Sequence, residues 1–202
     1  DEKEKEGVHL NLEFQVYNMV ATGDMKTQLD LMRIAREIDD VEYSPERFPG
    51  VIKRMVSPRV TALIFSSGKI VLTGMKSREE AETAMKGLTD QLKVISKDLS
   101  KPRAVIKNIV TGGNLGVRLD LNRAALTMEN VMYEPEIFPG LIFRLQDPKA
   151  VLMVYSTGSF ICLGIKEMGA AEKAINILAE NVKKLDLIHE QKQIPPEDII
   201  FL

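Results

Sequence analysis

The sequence predicts an α+β protein built from two copies of one unit, each combining an antiparallel sheet with one long helix. Three observations support this prediction. About 27 of the 80 residues from Phe14 to Lys93 are identical to the residue 90 positions later, without a gap. Short runs rich in β-branched residues alternate with Pro and Gly turns in both copies. Each copy then closes with a longer run in which apolar residues recur at helical spacing.

A loop-forming motif is the most extended identity between the copies. Residues 43–50 read Tyr-Ser-Pro-Glu-Arg-Phe-Pro-Gly, and residues 133–140 read Tyr-Glu-Pro-Glu-Ile-Phe-Pro-Gly. Pro and Gly interrupt regular structure, so the motif predicts exposed loops at 44–48 and 134–138.

The first copy predicts a strand, a short helix, a short strand, three strands of a meander and a long helix. Residues 77–80, Ser-Arg-Glu-Glu, form a capping box in which Ser77 caps the amide of Glu80 and Glu80 reaches back. The expected elements cover residues 14–20, 29–35, 41–43, 51–55, 60–65, 69–73 and 78–95.

The second copy repeats this order. Its expected elements cover residues 105–110, 119–128, 141–145, 151–155, 160–163 and 167–185. The resulting division is a charged lead-in at 1–12, a first repeat at 13–97, a linker at 98–103, a second repeat at 104–190 and a tail extension at 191–202. The apolar end of the tail, residues 199–202, is expected to dock on its own domain, and contact with a partner is the alternative.

Composition excludes several classes of protein. No run of 18 apolar residues predicts a membrane span, and the charged residues 1–6 do not resemble a secretory signal. The single cysteine, Cys162, cannot form an internal disulfide, which indicates a reducing compartment, and it is expected in the core. His9 and His189 are isolated, no spacing suggests a metal site, and no paired titratable groups suggest catalysis. We therefore expect neither a cofactor nor an enzyme.

The predicted sheet has two apolar faces. Ala62 and Ile64 alternate with Leu63 and Phe65, and two long helices cannot cover both sides. The uncovered face therefore needs a partner. One candidate is a homodimer or another sheet layer. The other is the minor groove of DNA, where A·T pairs offer only acceptors, because Asn and Arg recur at matching positions on this face. These positions are Asn18, Asn108, Arg54 and Arg144.

These motifs resemble the TATA-box-binding protein family over about residues 14–187. The resemblance rests on Asn18-Met19-Val20, on the loop motif, on Thr61 to Lys69 and on Thr73-Gly74, in order and largely repeated. It implies a saddle: one continuous curved antiparallel sheet with DNA beneath it and two long helices above. TATA-binding proteins are the standard example of minor-groove kinking, so this mechanism comes with the resemblance.

The resemblance also implies a role for each site residue. Phe48 with Phe65, and Phe138 with Tyr155, would wedge into a base step at either end of the site. Asn18 and Asn108 would bond to base acceptors. The remaining DNA-binding positions would pack on the groove floor, add a hydrogen bond or reach phosphates: Val20, Thr61, Leu63, Val71, Thr73, Val110, Val151, Met153, Ile161, Arg54, Lys69 and Arg144. Glu134, Pro135 and Glu136 match the loop where a transcription factor B-type protein docks.

The second copy departs from the family at three positions. Tyr155 stands where phenylalanine is usual, Ser159 where lysine is usual and Leu163 where threonine is usual. We expect weaker or less kinked binding at this end, since a tyrosine hydroxyl and a lost lysine both weaken the contact. The loop motif and a long first-copy helix that is not strongly basic indicate the archaeal type. That type places the protein in the cytoplasm with the nucleoid, whereas a eukaryotic one would be nuclear.

The expected function is that of a general transcription factor. It would bind A·T-rich double-stranded promoter DNA in the minor groove, bend it, and recruit a transcription factor B-type protein and the RNA polymerase machinery. One alternative is a divergent paralogue, or a same-fold substrate-binding domain, that has lost strong binding to A·T-rich elements. Another is a scaffold that dimerises through the DNA face, a contact also possible for the free transcription factor.

Overall fold

The computed structural model describes residues 8–189 and contains four helices and ten strands there. Residues 1–7 of the expected charged lead-in and the whole tail extension at 191–202, with its expected docking, lie outside the described residues. In chain order the elements are β1 Phe14–Asp24, α1 Leu31–Glu37, β2 Val41–Glu42, β3 Val51–Val56, β4 Arg59–Ile64, β5 Lys69–Met75, α2 Arg78–Leu92, β6 Val105–Asn114, α3 Leu121–Thr127, β7 Val131–Met132, β8 Leu141–Gln146, β9 Lys149–Val154, β10 Ser159–Ile165 and α4 Met168–Lys184.

The strands are hydrogen-bonded in the order β2-β3-β4-β5-β1-β6-β10-β9-β8-β7. This order and the repeated succession of elements confirm the predicted α+β class. The chain divides into two compact units. One consists of residues 15–112 with 162–171 and is called the 15–112 unit. The other, called the 113–161 unit, has described residues 8–14, 113–161 and 172–189.

Burial along the strands follows the predicted alternation. Ala62 and Ile64 are fully buried, while Thr61 and Leu63 on the same strand are half-buried. In the second copy Leu152 is buried beside the half-buried Val151 and Met153. One side of each sheet segment therefore faces a core, and the other remains accessible and mostly apolar, as expected.

Helix α2 covers the buried side within the 15–112 unit. Its apolar stripe is fully buried and includes Met85, whose methyl lies so close to Gly23 that a Cβ there would sit 2.6 Å from it. Glycine at this point of β1 thus lets the helix approach the sheet. Thr89, also in the stripe, satisfies its hydroxyl within the helix by donating to the Met85 carbonyl at 2.7 Å.

The helix starts reflect capping side chains. The Ser77 hydroxyl accepts from the Glu80 amide at 3.1 Å, as predicted. The Glu80 carboxylate, however, accepts from the Lys76 amide at 2.8 Å rather than from Ser77, so the capping box closes one residue earlier than expected. In the short helices α1 and α3, Asp30 and Asp120 accept from the amides three residues on, which starts both helices two residues later than predicted.

The central strands are longer than the sequence pattern predicted. β1 continues to Asp24 instead of ending at Val20, because Thr22, Gly23 and Asp24 stay in register with Val71, Ile70 and Lys69. β6 likewise extends to Asn114 instead of Val110. A strand flanked on both sides keeps its hydrogen bonds through glycines that would end an edge strand.

Cys162 lies in the core, as predicted from its side of the strand. Burial raises the pKa of its thiol to about 11, and the neighbouring Thr111 hydroxyl acts weakly in the opposite direction. The thiolate is the reactive form of cysteine, so this burial leaves the side chain inert at neutral pH. Among residues 8–189, no helix is long and apolar enough to cross a membrane.

Candidate nucleic-acid interface

Two rows of side chains cross the accessible face of the 15–112 unit. In one row Ile52 on β3, Leu63 on β4, Val71 on β5 and Thr22 on β1 are register partners. The next row joins Arg54, Thr61, Thr73 and Val20 in the same way. All eight except Arg54 are half-buried. The expected positions Val20, Thr61, Leu63, Val71 and Thr73 thus form one apolar floor with two threonine hydroxyls.

Asn18 is held on this face by a bulge in the neighbouring strand. The pairing of β1 with β5 shifts between Met19 and Val20, and Gly74 occupies the extra position with a φ of 103°. The Gly74 amide donates to the Asn18 Oδ1 at 2.7 Å, and the Asn18 Nδ2 donates to the Thr73 Oγ1 at 3.1 Å. The oxygen is therefore occupied by the backbone, which orients the amide nitrogen toward Thr73 on the accessible face.

Asn108 is held by an equivalent hydrogen bond from a glycine amide. The Gly164 amide, at a residue with a φ of 84°, donates to the Asn108 Oδ1 at 2.9 Å. Leu163 stands where Thr73 stands in the first copy, so the side chain at that position offers no hydroxyl to the Asn108 amide. Both asparagines therefore present hydrogen-bond donors, but only Asn18 shares its donor with a threonine.

The rings of Phe48 and Phe65 form an edge-to-face pair with centroids 5.7 Å apart. A turn at the base of the loop positions Phe48, because its amide donates to the Ser44 carbonyl at 3.0 Å. Gly50 lies beneath the pair, and a Cβ there would sit 2.9 Å from the Phe48 ring and 3.2 Å from the Phe65 ring. The repeated Pro-Gly thus has a second role, since the glycine leaves room for the aromatic pair.

Phe138 and Tyr155 form the matching pair in the 113–161 unit. Their centroids are 6.0 Å apart, and the Phe138 amide donates to the Glu134 carbonyl at 2.9 Å. A Cβ on Gly140 would lie 2.8 Å from the Phe138 ring. All four aromatic rings of the two pairs are half-buried. The structure therefore brings together each pair that the sequence associated with a wedge.

The accessible face of the 113–161 unit has the same register as its counterpart. Ile142 pairs with Met153, and Arg144 pairs with Val151. Ile161 on β10 is half-buried as well, as is Val110 on β6 in the other unit. The predicted positions Val110, Val151, Met153 and Ile161 are therefore accessible apolar groups, with Arg144 exposed beside Val151.

The predicted phosphate-facing cations differ in their surroundings. Arg54 lies 3.6 Å from the Glu42 carboxylate with both side chains more than half exposed, a weak ion pair that a phosphate can displace. Met132 replaces Glu42 in the second copy, so Arg144 lacks this carboxylate. Lys69 is exposed at the start of β5.

The second loop presents an acidic and apolar tip. Glu134, Pro135 and Glu136 are all exposed, and Ile137, which the sequence reading did not include, is 81% exposed. The corresponding first-copy residue is Arg47. The two loops share a backbone turn but differ in the chemistry that they offer to another protein.

Several residues that shape the face were missed by sequence reasoning. Gly74 and Gly164 orient the asparagines, Gly50 and Gly140 make room for the aromatic pairs, and Ile52 with Ile142 extends the apolar floor. Identity between the copies marks all six, but it does not reveal that the glycines orient the asparagines or make room for the aromatic rings. Within residues 8–189, no cluster of three or more His, Cys, Asp or Glu side chains could hold a metal ion.

Both copies of the repeat match the same known protein family. The sequence model of the family described as "Transcription factor TFIID (or TATA-binding protein, TBP)" matches residues 13–95 and again residues 103–185. The TATA-box-binding protein of Pyrodictium occultum is 47% identical over 174 residues, which cover 86% of this chain and 87% of that protein. The corresponding protein of Sulfurisphaera tokodaii is 42% identical over 92% of this chain and 93% of its own length.

The fold agrees with a solved structure. The structure of Methanococcus jannaschii TBP superposes with a TM-score of 0.78 and 37% identity, covering 85% of this chain and 99% of that one. This likeness and the matches over both repeats confirm the fold class and the family that the motifs indicated. The chain belongs to the TATA-binding protein family of transcription factors.

Proposed function

We propose that this protein is a non-enzymatic general transcription factor that binds A·T-rich promoter DNA from the minor groove and bends it. Family membership supports the proposal, since the relatives named above are TATA-box-binding proteins. The alternatives of a scaffold or of a paralogue without A·T preference have no comparable support. An archaeal setting, as in these relatives, would place the protein in the cytoplasm at the chromosome.

The observation that carries the proposal is the repeated asparagine whose Oδ1 accepts from a glycine amide. Asn18 and Asn108 each use their Oδ1 to accept from a backbone amide, so neither side chain can turn its oxygen outward without losing that bond. What remains for a ligand is the amide nitrogen. The site is therefore built to donate hydrogen bonds from an otherwise apolar floor.

Minor-groove chemistry explains why this arrangement prefers A·T pairs. Adenine N3 and thymine O2 are acceptors, whereas guanine adds a 2-amino donor. A guanine under Asn18 or Asn108 would oppose two donors, leaving both unsatisfied at a cost of about 1–3 kcal/mol. The asparagines would thus reject G·C pairs near the centre, while the aromatic pairs would open base steps at the ends.

Binding to three duplexes tests this proposal. We expect fluorescence anisotropy to show tight binding to an A·T-rich duplex and about tenfold or greater loss when two central pairs become G·C. Replacing the same pairs by inosine·cytosine should restore binding, because inosine lacks the 2-amino group while its major groove resembles that of guanine. Equal affinity for all three duplexes would refute minor-groove readout, and failure to prefer the A·T-rich duplex over a scrambled G·C-rich one would refute the function.

Thr73 provides a prediction for a single hydroxyl. Its oxygen accepts from Asn18 at 3.1 Å, which leaves its own hydrogen free for a base acceptor. Thr73→Val keeps the shape, so we expect an affinity loss of about three- to tenfold, the value of one hydrogen bond. Leu163→Val is the matched control, since it removes no polar group, and it should change affinity less than twofold. An equal loss in both variants would contradict a hydrogen-bonding role for Thr73.

We further propose that Glu134, Pro135 and Glu136 bind a transcription factor B-type protein that links the complex to RNA polymerase. Their exposure on the second loop supports this role, and the exposed Ile137 adds an apolar contact of the kind found at the centres of interfaces.

The half-buried apolar rows of the accessible face also suit a homodimer of the free protein. Sedimentation of the protein with and without A·T-rich duplex would detect such a dimer, which DNA should dissociate.

A further inference from the structure

One end of the accessible face in the 15–112 unit opens into a cleft of about 940 Å³. Phe65, Ser66 and Ser67 line one side of it, next to the aromatic pair. Four cationic side chains also line it and are all exposed: Lys26, Lys69, Lys101 and Arg103. We call these four residues and Asp24 the first corner. Only Lys69 was associated with phosphate by the family resemblance.

The first corner is held together by hydrogen bonds from the linker between the copies. The Ser100 amide donates to the Met25 carbonyl at 3.0 Å, and its hydroxyl donates to the Asp24 carbonyl at 2.8 Å. The Thr27 hydroxyl donates to the Asp98 carbonyl at 2.9 Å. These bonds fix the linker against the loop after β1, so Lys101 and Arg103 are anchored beside Lys26.

The cations of the first corner are not neutralised within the described residues. Asp24 is the one carboxylate that lines the cleft there, and its Oδ1 accepts from the Lys26 amide at 2.8 Å. None of the four cations lies within 4.0 Å of a carboxylate in residues 8–189. Lys101 and Arg103 also border a smaller cleft with Glu82 and Asp90 on α2, without forming an ion pair there.

The matching corner of the 113–161 unit keeps the backbone but not the charge. The Leu115 amide donates to the Gly158 carbonyl at 2.9 Å, as Met25 does to Gly68 at 2.8 Å, and Asn11 donates to Leu115 as Ser100 does to Met25. Gly116 and Ser159 replace Lys26 and Lys69. Residues 11–13, Asn-Leu-Glu, stand in place of the basic linker. We call Asn114, Gly116, Ser159 and residues 11–13 the second corner.

Side-chain chemistry separates the two corners. In the second corner the Asn114 amide donates to the Ser159 hydroxyl at 2.9 Å, so these polar groups satisfy each other. Its charged member is Glu13, which gives a formal charge of −1. Four cations and Asp24 give the first corner +3. A polyanion is therefore attracted to one corner and not to the other.

We propose that the first corner binds backbone phosphates of the DNA that flanks the Phe48–Phe65 pair, a contact that the second corner does not offer. The proposal rests on the proposed function, since it places the flank of that same DNA in the cleft. Lysine and arginine that neutralise phosphates release counterions, and each contact adds about 0.9 to the slope of log affinity against log salt.

The triple variant Lys26→Gln/Lys101→Gln/Arg103→Gln tests the corner in the full chain. It leaves Lys69 in place. We expect the salt slope on an A·T-rich duplex to fall by about 1.8–2.7, that is, by two to three phosphate contacts. The triple variant Lys86→Gln/Lys183→Gln/Lys184→Gln removes the same charge from the helices and should change the slope by less than about 0.5. Equal slopes in the two triple variants would overturn the proposal.

Two further measurements locate the contact. Uncharged methylphosphonates placed in both flanks of the A·T-rich element should abolish the affinity difference between wild type and the corner variant, whereas methylphosphonates placed only within the element should leave it. Conversely, Glu13→Lys/Ser159→Lys adds two cations to the second corner and should raise the salt slope by about 1.8. An A·T-selective wild type whose corner variant keeps its slope would refute the corner alone. A wild type without A·T selectivity would refute the function itself.

Discussion

Replacing Phe48 and Phe65 by alanine is expected to weaken binding to an A·T-rich duplex by about 30-fold or more and to reduce the DNA bend. Aromatic contacts with bases are worth about 1–3 kcal/mol each, and the double variant removes two. The two rings are accessible to bases because they are only half-buried. Their centroids lie 5.7 Å apart in an edge-to-face pair, and Gly50 has no side chain that would separate them. Anisotropy gives the affinity, and energy transfer between dyes at the duplex ends gives the bend.

Phe138→Ala/Tyr155→Ala provides the comparison. We expect a smaller loss, because a tyrosine inserted into an apolar base step must leave its hydroxyl without a partner. Urea unfolding of both variants checks that the fold is retained, as the half-exposed rings predict. Equal losses at the two ends, or a greater loss at the Tyr155 end, would contradict the inequality that we infer between the copies.

Gly158→Ala is expected to lower the free energy of unfolding by more than about 3 kcal/mol. The residue has a φ of 86°, which costs an alanine about 1–2 kcal/mol. A Cβ there would also lie 2.1 Å from the Val117 carbonyl oxygen, so the backbone would have to move. The turn between β9 and β10 and the Leu115 amide that donates to the Gly158 carbonyl would both be displaced.

Substitutions at two other glycines distinguish the conformational cost of a positive φ from the steric cost of the added Cβ. Gly164 has a similar φ of 84° but nothing within 4 Å of its Cβ position, so Gly164→Ala should cost about 1–2 kcal/mol, the conformational part alone. Gly169 lies in α4 with equally open space, and Gly169→Ala should stabilise by about 0.5–1 kcal/mol through helix propensity. Urea unfolding of the three variants should rank them in this order, and equal effects of Gly158→Ala and Gly164→Ala would contradict the steric explanation.

Local pattern was sufficient to predict much of the fold. The 90-residue repeat, the β-branched runs and the Ser77 cap predicted the succession of elements and the accessible side of Leu63 and Met153. The ends of the strands were predicted less well than the order of the elements. β1 runs past Val20 because a neighbouring strand continues to pair with Thr22 and Gly23, a non-local fact that residue preference does not encode.

In the candidate site, too, the sequence predicted the residues but not the contacts that hold them in place. The family motifs predicted the roles of Asn18, Asn108 and the aromatic residues. The structure shows which contacts hold these side chains in position. Gly74 orients Asn18 through a backbone amide, and Gly50 seats two rings, although both glycines resemble ordinary turn residues in the sequence. The first corner could not be predicted, because hydrogen bonds between distant segments bring its cations together. The Ser100 and Thr27 bonds place Lys101 near Lys26, and the Met25 amide bond to the Gly68 carbonyl brings Lys69 to the same loop.

The division of the chain into compact units bears on how the protein emerges from the ribosome. The 15–112 unit includes residues 162–171, and the 113–161 unit includes residues that precede the first copy. Neither unit can therefore be completed when the first copy alone has been synthesised. A nascent chain halted near the linker would pair β1 with β5 but would lack β6, the other neighbour of β1. The open edge of β1 would then be a binding site for chaperones until β6 has emerged.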